Sequence, residues 1–357
     1  MDDIKLLLGR RIDGGIAARG RHIRTENSRI GWEGRAPAAR PATLSGRQMC
    51  HASPARQPLR DTESEPAMRP YEPRRPSAGR RVALRGLRLH LREWGAPEAP
   101  PLVLLHGSRD ASATFQFVVD ALAGSWRVIA LDWRGHGLSD WAPGGYWWQD
   151  YLADLDALLD TLGFAGPVPL AGHSLGGNMA LLYAGLRPAR IARVISLDGF
   201  GLPDRDPAQA PAHLRRWLDS VSGPAPSPVY PSLPALCARL TAANPALDTA
   251  RALFLGGHLG RERPEGGWTW AFDPAHRRPF ATLHRFAETA SCWRRIAAPT
   301  LFLGSGQPFP PALAGEIEAR AALVPGARLL RLPGTGHNLH HDAPEQVAAA
   351  IEAFLTG

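Results

Sequence analysis

The chain has 357 residues, of which 44% are hydrophobic, enough for one large domain or two small ones with a sizeable core. Its sequence lacks the run of roughly 18 apolar residues that a membrane span requires, and the apolar segment near the start is too short for a secretory signal. The three cysteines form no C-x-x-C pair, so neither a disulfide framework nor a zinc knuckle is indicated. We therefore expect a soluble, cytoplasmic protein.

The net charge of +8 arises entirely from the first part of the chain. Residues 1–81 contain 17 Lys and Arg against 9 Asp and Glu, whereas residues 82–357 contain 24 of each. The first segment is rich in Arg, Pro, Gly and Ala without periodicity, as is typical of disordered chain. We interpret it as a disordered basic extension. The alternative interpretation is that the start site has been placed too far upstream and that the protein begins at Met68. A tail that binds RNA or an acidic surface is the alternative, but neither nucleic acid nor a membrane is expected as a partner.

Short apolar runs alternate with helical patterns from residue 82 onward. Residues 87–95 alternate apolar and polar side chains, as a half-buried edge strand does. Further runs that end in turn residues are typical of buried parallel strands: residues 101–107, 126–133, 167–172, 192–199 and 299–306. This alternation predicts an α/β fold, a doubly wound and mostly parallel sheet with helices on both faces.

One helical pattern is especially regular. The segment DYLADLDALLDTLG carries a stripe of leucines, and Gly163 stands where a helix-ending glycine belongs. Its aspartates are interpreted as a solvated face: Asp150, Asp154, Asp156 and Asp160.

Residues 202–297 break the alternation. They show no clear strand, are rich in Pro and Ala, and include short helical stretches with Trp217, Trp268, Trp270 and Trp293. An insertion between two strands predicts a mainly helical cap over the carboxyl edge of the sheet. The expected organisation is therefore a basic extension at 1–81, a core at 82–201 and 298–357, and a cap at 202–297.

The segment VPLAGHSLGGN contains the spacing G-x-S-x-G around Ser174. Gly172 and Gly176 permit a tight strand-to-helix turn that lifts the serine hydroxyl clear of the backbone. The amides at the start of the following helix would stabilise a negative charge beside that hydroxyl. An ordinary helix-capping serine is the alternative, but a cap needs no glycine on both sides.

With HGS at 106–108, LDWRGHGLSD at 131–140 and LPGTGHNLHHDAPEQ at 332–346, residues 82–357 resemble the α/β-hydrolase superfamily. The resemblance implies that Ser174 is the nucleophile and His337 its base. It also implies an oxyanion hole formed by the backbone amides of Ser108 and Leu175. His106 and His173 are expected to pack or to fix the loops of their motifs.

The acid is where the sequence departs from the commoner pattern. Most relatives carry an aspartate after the strand at 299–306, but here Gln307 stands in that place, and no carboxylate occurs between Cys292 and Glu316. Asp198 is predicted instead, at an alternative acid location used by haloalkane dehalogenases and serine-hydrolase-like proteins. Asp132 is expected to pin Arg134 or the turn, and Asp342 is too close to His337 in sequence.

No metal or cofactor is expected. His337, His340, His341 and Asp342 suggest a metal cluster, but consecutive residues at a helix start point in different directions. The predicted function is a serine hydrolase that cleaves an ester or related acyl bond of a small apolar substrate through an acyl-enzyme intermediate. A carbon–carbon bond hydrolase, a lactonase or a perhydrolase on the same triad, or an inactive ligand-binding protein, are the alternatives. The substrate-binding residues are not identified.

Overall fold

A mostly parallel β-sheet organises the part of the chain that the structure describes, residues 69–307 and 309–357 of a computed structural model. The strands in chain order are β1 Ala78–Leu84, β2 Leu87–Trp94, β3 Pro101–Leu105, β4 Arg127–Leu131, β5 Val168–His173, β6 Ile191–Leu197, β7 Gly260–Glu262, β8 Trp268–Trp270, β9 Thr300–Ser305 and β10 Arg328–Leu332. β7 and β8 form a separate hairpin, and the other eight lie in the order β1-β2-β4-β3-β5-β6-β9-β10. Only the pairs β1·β2 and β2·β4 are antiparallel in that sheet.

Ten α-helices lie among the described residues. They are α1 Gln116–Ala121, α2 Trp148–Leu162, α3 Leu175–Leu186, α4 Ala210–Val221, α5 Leu233–Ala243, α6 Thr249–Leu259, α7 Phe286–Trp293, α8 Ile317–Ala321, α9 Leu339–Asp342 and α10 Pro344–Thr356. None of them combines the length and apolar character needed to cross a bilayer. The predicted glycine stop of α2 is present, since Gly163 ends the helix at φ +62°.

Both faces of the sheet are buried, which explains why its central strands are continuous apolar runs. Alternate residues of β3 enter two separate cores, because successive side chains of a strand point to opposite faces. Val103 and Leu105 pack with α2 and α3, and Leu102 and Leu104 pack with α1 and α10. The predicted α/β fold with helices on both faces is confirmed.

The folded core begins earlier than the expected residue 82. The phenol of Tyr71 donates to Asp120 at 2.8 Å, and the backbone N–H groups of Arg74 and Arg75 donate to the same carboxylate. β1, which was not predicted, starts at Ala78 and makes β2 an inner strand instead of the expected edge. The rest of the predicted extension, including Cys50, lies outside the described residues.

The segment predicted as a cap is mainly helical, but it does contain strand. The short hairpin of β7 and β8 contradicts the expectation of no strand, and its register pairs Gly260 with Trp270. Three-residue strands are too short to show a period-two pattern in sequence. Trp293, at the end of α7, is fully buried against the main core beside α3.

The predicted solvated face of α2 is wrong for one aspartate. Asp154 is fully buried, and its two oxygens accept hydrogen bonds from Arg134 Nε and Nη2 at 2.6 and 2.7 Å. Asp132 was expected to pin either Arg134 or the turn, and Arg134 is paired with Asp154 instead. The bidentate ion pair compensates the burial of both charges, which a helical periodicity alone does not reveal.

Candidate active site

Ser174 lies at a strained turn between β5 and α3. Its backbone has φ +51° and ψ −111°, a region that side chains rarely adopt. The turn is so tight that it leaves no room for a side chain at either glycine. A Cβ on Gly172 would collide with the backbone of Gly176, and one on Gly176 would collide with the carbonyl of Leu105. The two glycines therefore allow β5, α3 and β3 to approach closely enough to hold the serine at the sheet edge.

The side chains of Ser174, His337 and Asp198 form one hydrogen-bonded chain. His337 Nε2 lies 3.0 Å from Ser174 Oγ, and His337 Nδ1 lies 2.6 Å from Asp198 Oδ2. Because a carboxylate only accepts, Nδ1 donates to Asp198 and the Nε2 lone pair faces the serine hydroxyl. The structure thus brings together the three side chains that the sequence singled out, in the tautomer that a general base needs.

Asp198 reaches His337 from a neighbouring strand. It follows β6 with φ +50° and is 2% exposed, and its second oxygen accepts the backbone N–H of Ser305 at 2.9 Å. Ser305 ends β9, the strand after which the commoner acid stands. Gln307 is exposed, and its carbonyl oxygen accepts a hydrogen bond from the Ser305 hydroxyl. The Asp198 carboxylate therefore lies beside the end of β9, although Asp198 itself follows β6.

The two predicted oxyanion donors lie next to the serine. Leu175 is the first residue of α3, so its N–H belongs to the positive end of the helix dipole. Ser108 and Leu175 line the same cavity as Ser174. Gly107 lies close to them, since a Cβ added there would be 3.5 Å from the Cβ of Ser174.

A cavity of about 500 Å³ opens at Ser174. Several aromatic side chains form part of its walls, and they include Trp147, Trp148, Tyr151, Trp217, Phe280 and Phe309. None of these side chains was predicted from the sequence to bind substrate. The signal was the aromatic cluster YWW at 146–148, which leads into the first residue of α2 ahead of its leucine stripe.

Buried histidines support the loops, as expected. His173 donates from Nε2 to the backbone carbonyl of His337 at 2.8 Å, and burial holds the pKa of His173 well below its usual range. His106 accepts the backbone N–H of Trp133 at 2.9 Å, and burial lowers its pKa to about 4. Both rings are therefore neutral near pH 7 and act as fixed hydrogen-bonding groups.

Asp132 holds the loop of the LDWRGHGLSD motif. Its carboxylate accepts hydrogen bonds from the backbone of Ser112 and Leu138 and from His90 Nδ1. Burial by itself would raise its pKa, but the hydrogen bonds that the carboxylate accepts, above all the one from His90, outweigh burial and hold the pKa well below the usual range. It pins the turn, as predicted, and not Arg134.

One group of potential metal ligands lies behind the serine turn. The donor atoms of Asp110, His173 and His340 lie within 4.8 Å of one another, and Asp110 Oδ2 is 4.0 Å from each ring. A tetrahedral zinc site with bonds of about 2.0 Å needs donors roughly 3.3 Å apart. Asp342, from the metal cluster weighed in the sequence, accepts the Gly336 N–H instead.

The sequence matches the family described as alpha/beta hydrolase fold over residues 100–344. It is 31% identical over 188 residues to a serine hydrolase-like protein of Danio rerio, covering 50% of this chain and 57% of that protein. It is 27% identical over 286 residues to a 2-(acetamidomethylene)succinate hydrolase of Mesorhizobium japonicum, covering 77% and 94%.

A solved structure shares the fold. The thioesterase domain from the curacin biosynthetic pathway superimposes with a TM-score of 0.71 at 25% identity, over 78% of this chain and 99% of that domain. The family match covers more than half of the sequence, and the strand order and serine turn agree with it. The chain belongs to the α/β-hydrolase family.

Proposed function

We propose that the protein is a serine hydrolase that cleaves an ester or related acyl bond of a small apolar substrate through an acyl-enzyme intermediate. The observation that carries the proposal is the hydrogen-bonded chain from Ser174 Oγ through the His337 ring to the Asp198 carboxylate. A serine hydroxyl becomes a nucleophile when a base takes its proton, and His337 Nε2 is within reach of that proton. The similarity to a serine hydrolase-like protein and to a thioesterase domain supports the same chemistry.

In the proposed reaction, Ser174 Oγ attacks the substrate carbonyl while His337 Nε2 takes the hydroxyl proton. The negative charge that forms on the carbonyl oxygen is stabilised by the N–H groups of Ser108 and Leu175, each worth about 3–4 kcal/mol. His337 then protonates the leaving alcohol. A water molecule then attacks the acyl carbon while His337 Nε2 takes its proton, and His337 returns that proton to Ser174 Oγ as the acyl–Oγ bond breaks and the acid leaves. Asp198 keeps the ring oriented and stabilises its positive charge throughout.

The aromatic cavity supports a substrate with an apolar body, because its walls offer large planar surfaces next to the nucleophile. Trp217, Phe280 and other wall residues come from residues 202–297, which we assign as the cap. The core that carries the triad comprises the described residues on either side of it.

A second candidate is the hydrolysis of a different bond by the same three residues, such as a lactone or a carbon–carbon bond. The relative named for 2-(acetamidomethylene)succinate hydrolysis favours it, since that name does not denote a simple ester.

A panel of p-nitrophenyl esters of increasing chain length tests the proposal. We expect hydrolysis by the wild type, with a preference for one chain length, and a loss of at least about 10³-fold in kcat with Ser174→Ala. Equal rates for wild type and Ser174→Ala would refute the assignment of the nucleophile. An inactive ligand-binding protein would hydrolyse none of the esters.

A further inference from the structure

The cavity beside Ser174 contains one formal charge among the described residues that line it, the guanidinium of Arg278. No Asp or Glu belongs to this described lining. His276 also lines the cavity, but it is uncharged near neutral pH because burial lowers its pKa to about 4. The cavity therefore combines aromatic walls with a single positive charge.

Within the described part of the chain, this positive charge has no carboxylate partner. Arg278 Nη2 donates to the carbonyl of Gly223 at 2.7 Å, which fixes the side chain, while its Nε is enclosed and lacks an acceptor. Among the other enclosed arginines of this part, Arg92 also lacks a carboxylate and does not line this cavity, whereas Arg134 is paired with Asp154 and Arg320 with Glu316. Arg278 differs from the paired arginines in facing the substrate cavity instead of a counter-ion.

A guanidinium that is partly withdrawn from water needs a counter-charge, and its planar fork of donors matches a carboxylate best. The aromatic walls leave room for an apolar segment between that group and the reacting carbonyl. We propose that Arg278 binds a free carboxylate of the substrate. The substrate class is then an ester or related acyl compound whose apolar body carries one ionised carboxyl group away from the scissile bond. This inference rests on the proposed function, since it concerns the substrate of the same serine.

Matched pairs of anionic and neutral esters test it. In the first pair the carboxylate lies in the acyl part, mono-p-nitrophenyl adipate against p-nitrophenyl hexanoate. In the second it lies in the leaving group, 4-acetoxybenzoate against phenyl acetate. Each is assayed with wild type, Arg278→Met, Arg278→Lys and the control Arg277→Met. Arg277 is the adjacent, exposed arginine, whose guanidinium lies 5.2 Å from the centre of the Phe272 ring and which does not line the cavity.

We expect Arg278→Met to lower kcat/KM at least ten-fold for the anionic member of one pair and less than two-fold for its neutral member. Arg278→Lys should restore part of the loss, and Arg277→Met should change neither member of either pair by more than two-fold. The KM of the favoured anionic ester should also rise with salt.

An equal loss on anionic and neutral esters would show that Arg278 only supports the fold, and no loss would show that it does not contact substrate. Equal effects of Arg277→Met and Arg278→Met would show that the positive potential of the surface, and not a contact with Arg278, favours the anionic ester. Each of these results overturns the inference while leaving the proposed hydrolase intact. A wild type that hydrolyses no ester at all would instead contradict the proposed function.

Discussion

Asp198 and Gln307 make different contacts in the structure. Asp198 is buried and bonded to His337 Nδ1, whereas Gln307 is exposed and contributes its backbone carbonyl to Ser305. We predict that Asp198→Asn lowers kcat by about 10³–10⁴-fold, because an amide can neither hold the tautomer nor stabilise the charged ring. Gln307→Ala, the matched control, should change kcat by less than two-fold. Steady-state kinetics with a p-nitrophenyl ester measures both, and the opposite ranking would overturn the assignment of Asp198 as the acid.

Asp132 gives a prediction about pH and stability. Its folded-state pKa lies below that of an unfolded aspartate, so its contribution is present above about pH 4 and is lost as the pH falls through the folded value. Asp132→Asn should lower the free energy of unfolding by about 2–3 kcal/mol at pH 7, since it disturbs three hydrogen bonds to a buried carboxylate. Urea unfolding at several pH values should show this difference shrinking below pH 4. A difference that stays constant down to pH 2 would exclude the ionised carboxylate as its source.

At the level of elements, α3 lies so close to α7 that its Gly185 has no room for a side chain. A Cβ there would collide with the carbonyl oxygen of Cys292, whereas a Cβ on Gly257 of α6 would meet nothing within 4 Å. Both glycines lie inside helices, where alanine is intrinsically favoured by about 0.5–1 kcal/mol. We predict that Gly257→Ala stabilises by about that amount and Gly185→Ala destabilises by at least about 1 kcal/mol. Thermal unfolding compares them, and a stabilising Gly185→Ala would contradict this packing.

The sequence predicted the elements with a strong local pattern. The five buried strands are apolar runs that end in turns, and α2 has a leucine stripe with a glycine stop, so their type and order were readable. β1 was missed because its first four residues, Ala78 to Arg81, are exposed and carry no apolar alternation. The hairpin of β7 and β8 was missed because it is too short.

The site was predictable where chemistry restricts the choice of residue. The glycine spacing identified Ser174, and the missing carboxylate at Gln307 directed attention to Asp198. The cavity walls were not predictable, because Trp217 and Phe280 come together only through the packing of the cap. The pairing of Arg134 with Asp154 was not predictable either, because the burial of Asp154 depends on a tertiary ion pair.

At the level of the whole molecule, we expect two truncated proteins that start on either side of Tyr71 to differ in stability. Tyr71 and the backbone of Arg74 and Arg75 donate to the buried Asp120, whereas the composition of the residues before Met68 predicts a disordered extension. A protein that starts at Met68 should keep the melting temperature and kcat/KM of the full chain. One that starts at Ser77 should melt several degrees lower, because three donors to a buried carboxylate are lost. Calorimetry of the three proteins measures these melting temperatures. The same melting temperature for the proteins that start at Met68 and at Ser77 would show that residues 69–76 do not contribute to the stability of the fold.

The most direct test of the central claim, that Ser174 is activated by His337 and Asp198, is labelling with a fluorophosphonate followed by peptide mass spectrometry. We predict one adduct per chain, on the peptide that contains Ser174, formed rapidly by wild type and much more slowly by His337→Ala and Asp198→Asn. Labelling at another residue, or the same rate in His337→Ala as in wild type, would contradict the account.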